Sequence, residues 1–485
     1  MAELADAQDL GSCGQHRGGS SPLGRTIFKM KKLSLFNNSN IDMTQGSVSK
    51  SLILFAIPIL ISDFLQQCYN VVDSLIVGNF VGKEALAAVG ETFFLINIFL
   101  GIFLGISLGS TVEISNRFGS HDRKKLSLAV DTSIKLTLIL AVIFTVAGVS
   151  LVPTLLKFVG TKPDVYADAK TYLTIYLAGI VAQLFYNTFS AILKAVGDSR
   201  TPLIVLAITT VLNIFLDLLF IAVFHLGVAG AAYATIISQA ISAVILWFVM
   251  NKNEAFDKPI IIKAGLDKDV VVNTLRVGLP YALQRSITSV SNTMVMSYVN
   301  YFESDATAAY TIYLKIDQFV ISSILSIGSA STTFVAQNNG AKKYDRIRQS
   351  IKISFILTFT LSIFYAGIIC LCRNAIGRAF TDDAYVIAIA ASLMIHLCPT
   401  HTINAIPQIC SAICRGRGDS LGPTLIMTGC YVVLRQIYLA LRWKTFKDLM
   451  IVVAAYHLTW TVCACLMLCY LIIQEKRHMK LEEPC

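Results

Sequence analysis

Residues 190–202 read SAILKAVGDSRTP, and residues 411–423 read SAICRGRGDSLGP. Seven of the thirteen positions are identical across an offset of 221 residues, and Lys194 is matched by Arg415. The offset recurs along the chain. Gly119, in RFGSHDRKK, falls on Gly340, in NNGAKKYDR, at 221 residues; Pro58 falls on Pro280 and Asn70 on Asn292 at 222. One unit of roughly 215 residues is used twice, as repeat-built folds require. In a membrane protein such doubling predicts two lobes with a binding region between them.

The 485 residues are 55% hydrophobic and only 14% charged, and the mean hydropathy is +0.65. A soluble chain of this length needs more polar surface. The charges cluster and leave twelve apolar runs, centred near residues 63, 100, 138, 177, 211, 240, 288, 320, 358, 398, 432 and 460. Each is about twenty residues, enough to cross a hydrocarbon core. The expected fold is therefore an all-α integral membrane protein of twelve transmembrane helices. Six spans per repeat is an even number, so the lobes share one orientation and are related by a pseudo-two-fold axis along the membrane normal. The loops after spans two, four, six, eight and ten carry sixteen Lys and Arg, against eight on the other side. The basic side, with both termini, is expected to be cytoplasmic.

The net charge of +10 reads as this topology signal. Nucleic-acid binding is not expected, because there is no folded basic domain to perform it. Most of the twelve cysteines lie in or beside apolar runs and read as small packing residues, with no His at ligand spacing for a metal. HExxH is absent, and no enzyme or cofactor is expected. Residues 1–42 are polar, rich in Gly and Ser, and lack a signal-peptide core; they are expected to be a disordered or spurious extension, with Met30 or Met43 as the natural start.

Polar residues inside the apolar runs mark candidate sites, because an intramembrane polar group needs a partner, a proton or water. The first run holds Asp63, Gln66, Gln67, Asn70, Asp73 and Ser74 at spacings that share helix faces. The fifth run, TTVLNIFLDLLFIAV, places Asn213 and Asp217 four apart on one face, and the sixth offers Thr235 and Gln239. A carboxylate, an amide oxygen and a hydroxyl suit a proton or a hard monovalent cation. In the duplicated motif, Gly197 and Gly418 end helices, and Asp198 and Asp419 (or the following Ser) cap the next; a structural reading suffices. Pro58 and Pro280 are expected hinge points. The second repeat adds Arg285, Lys315, Asp317 and Arg435, with His396 and His401 read as structural.

The stretches PILISDFLQQCYNVVDSLIVG (58–78), SAILKAVGDSRTP, and NIFLDLLF followed by GVAGAAYATIISQ (213–239), with the doubled six-helix plan, resemble the multidrug and toxic compound extrusion (MATE) transporters across residues 43–475. The bacterial branch that includes staphylococcal-type exporters is the most similar in style. The resemblance implies H⁺- or Na⁺-coupled export of organic, often cationic, compounds by alternating access. It implies that Asp73, Asn213, Asp217 and Thr235 form the coupling site. Members that couple through the second lobe use a Glu in helix seven and an Asp in helix ten; here those helices offer Gln284, Arg285 and His396, so second-lobe coupling is not expected. A substrate cavity is expected from Gln67, Tyr69, Asn70, Phe93, Phe94, Tyr186, Gln284 and Asn292, with aromatic faces favouring cations. The expected organisation is an N-lobe over 43–257, a linker over 258–268, a C-lobe over 269–475 and a tail over 476–485. The chain is expected to act as a monomer in the plasma membrane on small organic cations. The competing readings are a lipid-linked precursor flippase, which wants a strongly cationic cavity, and an exporter of a single metabolite.

Overall fold

Apolar runs interrupted by Gly, Pro and charged turns give long helices separated by short connections. The computed structural model describes residues 40–256, 265–302, 304–445 and 447–482. The expectations for residues 1–39 and for most of the linker lie outside the described residues. In the first repeat the helices are α1 (Val48–Phe80), α2 (Lys83–Gly119), α3 (Arg123–Val159), α4 (Pro163–Ala178), α5 (Ile180–Ala195), α6 (Arg200–Asp217) and α7 (Gly227–Asn251). In the second they are α8 (Lys268–Val299), α9 (Ser304–Gly340), α10 (Tyr344–Arg378), α11 (Ala384–Leu397), α12 (His401–Gly416), α13 (Leu421–Thr428), α14 (Arg435–Trp443) and α15 (Met450–Glu482). A π-helical segment, Leu218–Val223, continues α6, and another, Gly429–Leu434, joins α13 to α14. The last helix thus continues through residues 476–482.

Nine of these helical stretches are long and apolar enough to span a membrane by themselves, and two bent pairs raise the count to eleven. The bends are repeat-matched: α4 meets α5 at 48° and α11 meets α12 at 50°. Gly179 supplies the first break, and Pro399, which lacks an N–H, the second. The twelfth span is α8. Its 32 residues reach about 48 Å, but Arg276, Gln284, Arg285, Ser289, Ser291 and Asn292 make it polar. Such a helix is tolerated where protein or a water-filled cleft covers its polar faces. Asp122, Asp267 and Asp383 cap α3, α8 and α11 with side-chain oxygens. The Lys125 N–H donated to Asp122 holds that surface carboxyl below the usual carboxylate range.

Each repeat has its own apolar core. One is built on Leu156, Leu173, Leu177 and Leu184 of α3–α5. The other is built on Ile324, Leu397, Ile409 and Met467 of α9, α11, α12 and α15. A third cluster, with Leu52, Phe55 and Ile59 of α1 against Ala330 and Phe334 of α9, joins the lobes. Glycine lets α2 and α8 approach to backbone contact: a Cβ on Gly109 would lie 2.1 Å from Thr274 O, and one on Gly105 2.6 Å from Gly278 O. The repeat-matched Gly119 and Gly340 close the same end. A Cβ on Gly119 would sit 1.8 Å from Gln337 O, and one on Gly340 1.9 Å from Asn116 O.

Residues 40–46 fasten this seam. Ile41 N–H donates to Gly197 O at 3.1 Å. Met43 is fully buried; its N–H donates to Gln337 Oε1 at 3.2 Å, and Gln337 Nε2 donates to Ala195 O at 2.8 Å. Arg346 donates to the carbonyls of Met43, Gln45 and Gly46. Asn40 and Ile41, placed by composition in a disordered extension, are thus bonded to the first lobe, and Met43–Gly46 to the second. All of these inter-lobe contacts lie on the basic half of the bundle, between the level of Phe64, whose ring is 5.8 Å from Phe319, and the α2–α3 turn.

Candidate functional site

In the first lobe, α1, α6 and α7 bring Asp73, Asn213, Asp217 and Thr235 together away from that seam. Asp217 is fully buried; Asn213 is 2%, Thr235 7% and Asp73 9% exposed. Asp217 is the last residue of α6 before the π-helical segment, the kind of local widening that recurs at functional positions. The Asp73 and Asp217 carboxyls are near neighbours in this pocket. Two carboxylates so placed repel each other unless a proton or a cation compensates them. Tyr69 Oη lies 3.2 Å from Thr235 Oγ1, and the buried Tyr172 and Tyr176 are in Coulombic range of Asp73.

The pocket is rich in polar atoms with no protein partner. Asp73 Oδ1, both Asp217 oxygens, both polar atoms of Asn213, Ser238 Oγ and Gln239 Oε1 are buried without a hydrogen bond. A buried polar atom left alone costs about 1–3 kcal/mol, so the orphaned atoms of Asp73, Asn213 and Asp217 are strong candidates to take a proton or a cation. Carboxylate, amide and hydroxyl oxygens are hard donors, suited to H⁺ or to Na⁺ and poorly to soft metals. Among the described residues, no three His, Cys, Asp or Glu side chains converge on a metal position.

The other residues singled out by sequence are dispersed. Tyr69 joins the acidic pocket through Thr235. Gln67 and Asn70 are half-buried on α1, and the Asn70 carbonyl accepts from Ser74 Oγ at 2.8 Å. Phe93 is 56% exposed and Tyr186 8%; the side chain of Phe94 lies outside the described residues. Gln284 turns into the second lobe, 3.2 Å from Met427 Sδ, and accepts from Thr424. Asn292 accepts from Arg435 Nη1 at 3.0 Å. Pro58 and Pro280 lie within continuous helices.

At the position where the first lobe is acidic, the second is cationic and aromatic. Arg435 is 2% exposed, stacked 4.3 Å from the Tyr456 ring and 5.5 Å from Tyr431. His401 is fully buried at the α11–α12 break, 2.7 Å from Asp317 and 4.9 Å from the Trp460 ring, while Tyr313 donates to Asp317 at 2.8 Å. His396 is exposed and contacts Ser392 O at 2.7 Å. Lys315 borders a groove of about 730 Å³ with Asn300, Thr311 and Phe380; this groove is in the second lobe, remote from the acidic pocket. Periodicity did not foresee the contributions of Tyr172 and Tyr176, since Tyr at helical spacing in an apolar run reads as core. The ten described cysteines are all free.

Two helical lobes built on one repeat, twelve spans, and buried ionisable groups within the first lobe define a membrane transporter. The MatE family model matches residues 58–219 and 280–440, one copy on each repeat. The probable multidrug resistance protein YoeA of Bacillus subtilis is 30% identical over 390 residues, covering 79% of this chain and 84% of its own. The probable multidrug resistance protein NorM of Thermotoga maritima is 29% identical over 412 residues, with coverage of 81% and 86%. A structure described as the outward-facing conformation of a multidrug resistance MATE family transporter superposes with a TM-score of 0.85 at 22% identity, covering 91% of this chain and 99% of that one. The chain belongs to the MatE family of efflux transporters.

Proposed function

We propose that this chain is a cation-coupled antiporter that exports organic cations across the plasma membrane, with Asp73, Asn213, Asp217 and Thr235 as the site for the coupling ion. The observation that carries this reading is the burial of two carboxyls, Asp73 and Asp217, whose oxygens have no protein partner. The relatives' names as multidrug resistance proteins support organic compounds as cargo. The basic end of the bundle and both termini are read as cytoplasmic, from the Lys and Arg asymmetry of the loops. The seam then closes the cytoplasmic side, and one chain suffices for the cycle.

In this state, H⁺ or Na⁺ enters from outside and neutralises the pair. With that charge compensated, the pocket no longer favours a cationic compound, which is released outward as the ion is taken. The lobes then part at the glycine seam and close at the opposite end. Antiport follows if ion and cargo bind the two states differently.

The test is efflux of ethidium from proteoliposomes under an imposed pH gradient and, separately, an Na⁺ gradient. Ethidium movement with one ion, lost in Asp217→Asn with folded protein, is the expected result and names the ion. Undiminished efflux by Asp217→Asn removes this pocket from the mechanism.

A further inference from the structure

The duplicated motif contributes a second cluster that the acidic pocket does not use. Lys194 and Arg415 are repeat partners at an offset of 221 residues, and Asp63 and Arg285 are repeat partners at 222. The fold brings all four together between the lobes. Asp63, on α1, accepts from Ser326 of α9 and is in Coulombic range of Lys194 and Arg285. Arg285, on α8, donates to Tyr281 Oη at 3.2 Å. The Arg415 guanidinium lies 4.6 Å from the Tyr281 ring centroid and in Coulombic range of Arg285. Lys194 and Arg285 therefore face one carboxylate, and a third cation, Arg415, stands across the Tyr281 ring.

That imbalance is costly in a membrane interior. Arg415 is only 5% exposed, and its Nε has no hydrogen-bond partner. Arg285 is not covered by protein although it sits about 25 Å along α8 from Lys268. Its range to Asp63, on the other lobe, puts that opening at the inter-lobe cleft. The cluster lies beside the glycine seam, where rocking of the lobes exposes it to opposite sides in turn. Asp63 is ten residues from Asp73 along α1, about 15 Å, so the two clusters are separate.

We propose that Lys194, Arg285 and Arg415, with the Tyr281 ring, form an inter-lobe site for the carboxylate, sulfonate or phosphate group of an amphiphilic aromatic anion. Two guanidiniums supply planar, paired donors for such a group, and Tyr281 offers an aromatic face to the ligand body. Asp63 competes with the ligand for the same cations. The site extends the cargo class beyond cations and does not depend on how the acidic pocket is coupled.

The test uses two dyes of one ring system and opposite charge, fluorescein and rhodamine 6G, titrated against the full purified chain by fluorescence anisotropy. Wild type binds fluorescein; the double variant Arg285→Gln, Arg415→Gln weakens that binding by about tenfold or more; Arg415→Lys, which keeps the charge but not the planar fork, weakens it by less. Asp63→Asn tightens fluorescein binding but not rhodamine 6G binding, a change of sign that a general loss of stability does not produce. Monodisperse elution and an unchanged melting profile establish folding, and if the double variant does not fold, Arg285→Gln and Asp63→Asn carry the comparison. Absence of fluorescein binding by wild type, equal binding by the Arg variants, or weaker binding by Asp63→Asn overturns the proposal. The Asp217-dependent ethidium efflux is read separately, so either idea can fail alone.

Discussion

Asp73 and Asp217 are 144 positions apart in sequence, yet they are neighbours in one buried pocket. Asp73→Asn is expected to lower ion-driven ethidium efflux by at least about tenfold, or 1.4 kcal/mol, with the protein still folded; liposome flux measures it. Thr235→Ser keeps the hydroxyl near Tyr69 and is expected to transport, whereas Thr235→Val loses it and is expected to be impaired in the same assay. The repeat-matched glycines show how context separates equal residues. Gly197 and Gly418 both have left-handed backbones, at φ 92° and 87°. A Cβ on Gly197 meets Ile41 O at 2.2 Å, but one on Gly418 meets nothing within 4 Å. Gly418→Ala is expected to cost about 1–2 kcal/mol from its backbone alone. Gly197→Ala costs more and depresses the apparent melting temperature further.

Among the elements, α2 carries the seam on one of its faces. Gly90 and Gly119 lie on this one helix with opposite demands. Nothing lies within 4 Å of a Cβ at Gly90, while Gly119 touches the α9 backbone. Gly90→Ala should leave stability unchanged or raise it by up to about 1 kcal/mol. Gly119→Ala should lower it and loosen the lobes, as thermal unfolding in detergent would register. The helix breaks follow local chemistry, Gly179 in one repeat and Pro399 in the other. The π-helical segments do not keep the repeat: one follows Asp217 and the other precedes Arg435. This local departure from symmetry accompanies the difference in charge, acidic in the first lobe and cationic in the second.

At the scale of the whole molecule, transport requires the seam to open. Cysteines at Asn116 and Ala341, in a background without the native cysteines, flank the Gly340–Asn116 contact. Joining them with a flexible bismaleimide should stop ethidium efflux, whereas the unlinked pair should transport; continued efflux by fully linked protein would exclude parting of the lobes at this end.

The sequence by itself determined the membrane class, the twelve spans and the doubling; it placed bends at Pro58 and Pro280, whereas the broken spans are at Gly179 and Pro399. Hydropathy, Gly and Pro act locally, and a repeat is visible wherever two copies keep the same residues. It also nominated Asp73, Asn213, Asp217 and Thr235, because a polar residue in an apolar run stands out wherever it folds. Tertiary structure decided which of these meet. Gln284 and Asn292 looked equivalent to the stripe on α1, but Gln284 packs inside its own lobe and Asn292 serves Arg435. Arg285 and Arg415 read as an isolated charge and a loop signal, and packing set them on either side of Tyr281. Residues 40–42 read as tail, but the Ile41 backbone is bonded to Gly197 of the first lobe. Local physics fixes where a chain is helical and apolar; the pairing of distant side chains depends on how the helices cross, which no single stretch encodes.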